Sequence, residues 1–155
     1  MISCTEFIPA YSELFRFLDE LEGAPGEEPG PAVVRFWESL SDAFLGNLRD
    51  LAVEKGLAGC FEYWSHTLTE EAADFLMTLD EEGGAFEIEM RRCPSKGRLL
   101  ASPHLEPYAG YCRHCDTLYR RVLEPLGYRY EIDLSRSNEA RCTLRVWGKD
   151  LTLKT

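Results

Sequence analysis

The stretch Ala85-Phe86-Glu87-Ile88-Glu89-Met90-Arg91-Arg92-Cys93-Pro94 decides the fold class. Apolar Phe86, Ile88 and Met90 alternate with Glu87, Glu89 and Arg91, the two-residue period of a strand with one buried and one solvated face. Pro94 has no N–H for a sheet ladder, so pairing stops at Cys93. Before Ala85 the rhythm differs. Ile8, Tyr11, Leu14, Phe15, Leu18 and Leu21 recur every three or four residues, which predicts a helix with Pro9 in its first turn and Gly23 as its stop. Residues 23–31, rich in glycine and proline, form a loop. A second helical stretch is expected from Ala32 to Lys55, with Val33, Trp37, Leu40 and Phe44 on one side, Gly46 as a break or bend and Gly56 as a cap. Residues 57–66 fit neither period. A third helix is expected from Thr69, with Glu70 and Glu71 in its first turn, burying Ala72, Phe75, Leu76 and Leu79 and ending by Gly83-Gly84.

Beyond Pro94 a short helix is expected near 95–101, followed by a loop from Ser102 to Gly110 that carries His104. A helix from about Tyr111 to Leu123 ends at Pro125 and Gly127. Tyr128, Tyr130, Ile132 and Leu134 then alternate with Arg129, Glu131 and Asp133, and Cys142, Leu144 and Val146 alternate with Arg141, Thr143 and Arg145. Gly148-Lys149-Asp150 turns into a last strand, Leu151 to Lys154. The expectation is one α+β domain over 1–155, in which a helical half, 1–84, packs on an antiparallel sheet half, 85–155, of order β-α-β-β-β.

The first residues lack the basic patch and apolar run of a signal peptide, and no apolar stretch approaches the roughly 18–20 residues of a membrane span. A reducing cytoplasm is the expected compartment, where the six cysteines are thiols, ligands or redox centres before they are disulfides. A net charge of −10 argues against nucleic acid as a partner. That charge is unevenly spread: residues 1–90 carry 20 acidic and 4 basic side chains, residues 91–155 carry 7 acidic and 13 basic. Two halves attracting each other is one reading; an arginine-rich surface for a small anionic substrate is the other. A helix-rich first half also offers a surface for a homo-oligomer.

Reactive groups are densest in Tyr111-Cys112-Arg113-His114-Cys115-Asp116, which opens a helix. A thiol there meets unsatisfied N–H groups and the positive end of the helix dipole, which favour thiolate, and Cys112 lies nearer the start than Cys115. In a regular helix the side chain of His114 projects away from both thiols. Cys112-x-x-Cys115 with Cys93 and Cys142 would complete a tetrahedral zinc site. The plainer reading is core packing, because Cys112, Cys115, Tyr119, Val122 and Leu126 share one helical face and Cys142 sits beside Leu144 and Val146. Cys4 and Cys60 have no reactive neighbours in sequence and read as structural. Asp116 either orients a water or complements the helix dipole.

From Cys93-Pro94, through Tyr111-Cys-Arg-His-Cys-Asp116 and Gly127-Tyr128, to the strand bearing Cys142, residues 85–147 resemble the L-2-amino-thiazoline-4-carboxylic acid hydrolase-like family. The resemblance implies hydrolysis of a cyclic, non-peptide carbon–nitrogen bond in a small carboxylate-bearing substrate. The expected roles are Cys112 or Cys115 as thiolate, or a zinc-bound water held by the cysteines, with Asp116 or His114 moving the proton. Arg91, Arg92 or Arg113 would take the carboxylate. Two other functions stay open: a zinc- or small-ligand-binding module with structural cysteines, and a thiol–disulfide oxidoreductase.

Overall fold

The computed structural model describes residues 4–23 and 28–148, with side chains from Phe7 onward. Six helices precede or interrupt four strands: α1 (Cys4–Leu21), α2 (Pro31–Phe44), α3 (Gly46–Lys55), α4 (Leu57–Glu70), β1 (Asp74–Asp80), β2 (Ala85–Arg92), α5 (Pro94–Leu100), α6 (Arg113–Leu123), β3 (Arg129–Asp133) and β4 (Cys142–Trp147). The class is the expected one, α+β, with helices before an antiparallel sheet. The sheet runs β1-β2-β4-β3 and every pairing in it is antiparallel.

The strand read from Ala85 is β2, and it lies inside the sheet between β1 and β4. Its inward residues meet apolar partners across the ladder: Phe86 opposite Val146 and Ile88 opposite Leu144, with Tyr130 and Ile132 of β3 beyond them. The other face is solvated and carries pairs such as Arg145–Glu87. The expected final strand, Leu151 to Lys154, lies outside the described residues.

One expectation fails. Residues 72–79, read as a helix, hold β1. The preceding helix ends at Glu70, and Ala72 takes a left-handed φ of 56° that no helix continues through. Phe75, Met77 and Leu79 then point inward at period two, so the same residues satisfied a helical spacing only by coincidence of 75, 76 and 79. Gly83 and Gly84 are the turn of the β1–β2 hairpin, with Gly84 at φ 66° and the Gly83 N–H donating to Asp80 Oδ1 at 2.8 Å. The ambiguous residues 57–66 belong to α4. The expected helix over 32–55 is two helices broken at Leu45, next to Gly46. Pro9 lies inside α1 because that helix begins at Cys4.

Two apolar cores result. The larger lies between the sheet and α3, α4 and α6, around Leu48, Trp64, Phe86, Leu123, Tyr130 and Val146. Burying each such aliphatic side chain contributes roughly 1.5–3 kcal/mol. The smaller joins α1 and α2 to the segment before α6 through Phe15, Val33, Trp37, Leu99, Tyr108 and Tyr111. Buried polar groups hold the second core in register. Asp19 accepts the Gly30 N–H at 2.9 Å and the Tyr108 hydroxyl, and Ser12 Oγ accepts the Tyr108 N–H at 2.8 Å. The Ser41 hydroxyl donates to the Leu118 carbonyl at 2.7 Å, tying α2 to α6. No helix among the described residues is long and apolar enough to cross a membrane.

Candidate functional site

The end of β2, the start of α5, the start of α6 and the start of β4 meet at the seam between the two cores. Cys93, Cys112, Cys115 and Cys142, contributed by these four places, line one cavity of about 30 Å³, together with Lys96, Ala140 and Arg141. That volume is on the order of a single water. The cysteines are free thiols.

The electrostatics differ from the sequence expectation. Burial pushes the Cys112 thiol up to about 12, and the neighbouring Cys115 adds to the rise, while Lys96 opposes it. Burial likewise drives Cys115 to about 12 and Cys93 to about 11, and raises Cys142. The helix start fails to lower Cys112 for a local reason. The N–H groups of Arg113, His114 and Cys115 already donate to the carbonyls of Gly110, Tyr111 and Cys112, at 3.0, 3.3 and 3.3 Å. Donors spent in these tight turns are not free for a thiolate. All four thiols are therefore neutral near pH 7, and Cys112 holds no advantage.

His114 is the group that engages a thiol. The chain has not yet entered regular helix at Tyr111, so the imidazole folds back and its Nδ1 meets the Tyr111 carbonyl. A carbonyl only accepts, so Nδ1 carries the proton and Nε2 presents its lone pair. Nε2 lies 3.5 Å from Cys115 Sγ. Burial lowers the His114 pKa, partly offset by the Tyr111 contact and by Glu71, which leaves a neutral base. The Cys115 backbone is held in turn: its carbonyl accepts the Tyr130 hydroxyl at 3.2 Å. The order is carbonyl, imidazole, thiol, the arrangement of an oriented base beside a nucleophile.

His114, Tyr111 and Ser95 also line a second, much larger cavity of about 640 Å³. They form a wall common to both, and a 2.7 Å hydrogen bond between Ser95 Oγ and the Tyr111 hydroxyl stiffens it. The rest of the large pocket is apolar: Tyr11, Phe15, Trp37, Leu40 and Leu118 inside, with Phe7 and Phe44 at its edge. Its charged lining residues are Glu70 and Glu71. Burial raises the Glu71 carboxyl, reinforced by Glu70, while His114 lowers it. Trp37 is 1% exposed, and its Nε1–H has no hydrogen-bond partner among the described residues. A buried donor left unpaired costs about 1–3 kcal/mol.

The remaining expected residues lie elsewhere. Asp116 accepts from Arg120 at 2.7 Å, and Arg120 also reaches Glu124 at 2.6 Å, so this carboxylate belongs to an ion-pair row along α6. Arg91, Arg92 and Arg113 are exposed and line neither cavity; Arg91 pairs with Glu89 at 3.6 Å and Arg113 with Glu28 at 2.8 Å. The cations at the cysteine cavity are Lys96 and Arg141. Arg113–Glu28 and the contacts of Arg121 with Glu38 and Asp42 join the basic half to the acidic one, the plainer account of the charge asymmetry. Among the described residues no group of three or more His, Cys, Asp or Glu side chains is arranged to hold a metal ion.

Sequence reasoning missed Glu71, Lys96, Arg141 and Trp37. Glu71 was assigned to a helix start when it closes a helix end, and Lys96 carries no pattern in sequence. His104 is exposed in its loop, and His66 pairs at the surface with Glu70 at 3.3 Å. Comparison with family models, with curated proteins and with solved structures returns no match to this chain.

Proposed function

We propose that the protein is a hydrolase that opens a cyclic, non-peptide carbon–nitrogen bond in a small molecule, with Cys115 as nucleophile and His114 as base. One observation carries the reading: the Tyr111 carbonyl fixes His114 so that Nε2 faces the Cys115 thiol at 3.5 Å, and His114 itself lines both the small cysteine cavity and an apolar pocket large enough for a substrate. The resemblance of residues 85–147 to the thiazoline-carboxylate hydrolase-like family supports the same reaction class. Free thiols suit the reducing cytoplasm expected from the sequence.

A thiol this buried acts through concerted proton transfer rather than as a standing thiolate. Cys115 Sγ bonds to the amidine-like ring carbon as its proton passes to His114 Nε2. The ring carbon–nitrogen bond breaks, and His114 returns that proton to the leaving nitrogen. A water then attacks the thioester-like carbon, giving one proton to His114 Nε2; the carbon–sulfur bond breaks and His114 reprotonates the thiol. Dry walls strengthen each of these contacts.

The test is ring opening of 2-amino-thiazoline-4-carboxylate and of 2-amino-thiazoline by the intact protein, followed by mass spectrometry of acid-quenched samples. Turnover with an adduct on Cys115 is expected, and His114→Gln should lower kcat by about 10²–10⁴. Turnover that survives Cys115→Ala would remove the nucleophile assignment. A second reading, a small-ligand-binding module with structural cysteines, is favoured by the raised pKa of every thiol in the cavity. Ligand binding without ring opening would select it.

A further inference from the structure

The apolar pocket and the polar groups at its wall do not match an anion. Its lining comes mostly from the acidic half of the chain, and its fixed charges are the carboxylates of Glu70 and Glu71. Among the described residues no lysine or arginine lines it, and the three arginines expected to receive a carboxylate stand at the surface. The pocket also exceeds what a single small ring needs: about 640 Å³, against the roughly 300–1,000 Å³ of sites that enclose drug-sized ligands.

Phe15, Trp37 and Leu40 make an apolar wall, and Phe15 and Trp37 meet edge to face with centroids 5.2 Å apart. Phe44, at 74% exposure, extends this wall to the mouth. Glu71 and His114 both line the pocket, and the Glu71 charge is felt by His114. Glu70 has His66 beside it at 3.3 Å, whereas Glu71 has no ion-pair partner among the described residues.

We infer that the pocket takes an apolar molecule with a cationic, amidinium-type head, its head between Glu71 and His114 and its body against Phe15, Trp37, Leu40 and Phe44. This deepens the hydrolase reading of the same site and rests on it for the role of the head, an amidinium carbon held beside His114. A planar N–H donor pair matches a carboxylate in two parallel hydrogen bonds, and aromatic faces favour a cation nearby. An anionic head would face Glu71 with no cation to offset it.

Three isosteric probes test this on the full chain: 4-phenylbenzamidine, biphenyl-4-carboxamide and biphenyl-4-carboxylate, titrated by calorimetry and by tryptophan fluorescence. The amidine should bind at least about tenfold more tightly than the carboxylate. Glu71→Gln, with its folding checked by circular dichroism, should weaken the amidine about tenfold and leave the carboxamide within about twofold. Carboxylate binding equal to or tighter than amidine binding, indifference to Glu71→Gln, or absence of binding by all three probes would each overturn the inference. Binding of the amidine without ring opening of any cyclic amidine would sink the hydrolase reading alone. Turnover of anionic ring substrates by a protein that ignores the amidine would uphold that reading and sink this inference.

Discussion

Alkylating the native thiols tests the electrostatic account of the cysteine cavity. An ordinary thiol of pKa about 8.5 is roughly one-tenth thiolate at pH 7.5. Burial raises Cys112 and Cys115 to about 12, which cuts that fraction roughly three-thousandfold. Cys93, raised to about 11, should be suppressed roughly three-hundredfold. The assay is iodoacetamide labelling at pH 7.5, native and in guanidinium, with site-resolved peptide mass spectrometry. Cys112 or Cys115 reacting within about tenfold of its unfolded rate would refute the argument from burial. The same shifts have a stability consequence. The folded pKa lies above the unfolded one, so the stabilisation is fully present below about pH 8.5 and drains away as pH climbs toward the folded value. For Cys60, 0% exposed with its thiol raised to about 12, the loss is about 1.4 kcal/mol per pH unit, near 2.5 kcal/mol by pH 10.5. Urea titrations between pH 8 and 10.5 should show this slope, and Cys60→Ala should make it shallower by one proton. An unchanged slope would contradict the assignment.

Asp19→Ala should cost about 3 kcal/mol, because it strands two buried donors, the Gly30 N–H and the Tyr108 hydroxyl, in a residue only 3% exposed. In a chain of this length that is a fall in Tm of roughly 6–12 °C, measurable by calorimetry, and a fall below about 2 °C would refute the role given to this carboxylate. Gly59→Ala should cost about 3 kcal/mol or more, since the added Cβ would lie 2.0 Å from the Leu51 carbonyl oxygen and force α3 from α4. Gly46→Ala, which meets nothing within 4 Å, should stay within about 0.5 kcal/mol in the same urea titration, and equal costs at the two sites would show that close packing is not the cause.

Local chemistry of the chain was enough to locate most elements. Strict alternation in Phe86–Met90, Tyr128–Leu134 and Cys142–Val146 can bury one face only as a sheet, and β2, β3 and β4 are the strands that resulted. The periodic apolar residues of 8–21 and 33–51 became α1 to α3, and the sulfurs expected to share a region do line one cavity. Residues 72–79 were different because Phe75, Leu76, Met77 and Leu79 suit either period. The choice went to the strand once β2 offered an antiparallel partner across the Gly83-Gly84 turn.

By itself, then, the sequence determined the α+β class, the antiparallel pairing and the neighbourhood of the cysteines, because these follow from periodicity and turn chemistry carried by adjacent residues. Tertiary structure decided the chemistry of the site. Burial made all four thiols weak acids, prior hydrogen bonds consumed the helix-start donors, and a backward fold of His114 onto the Tyr111 carbonyl brought its Nε2 to the Cys115 thiol. The pocket beside them is built from residues more than a hundred positions apart, Phe7 to Leu118. Desolvation and orientation depend on what packs against a group from every side, and no local spacing encodes that.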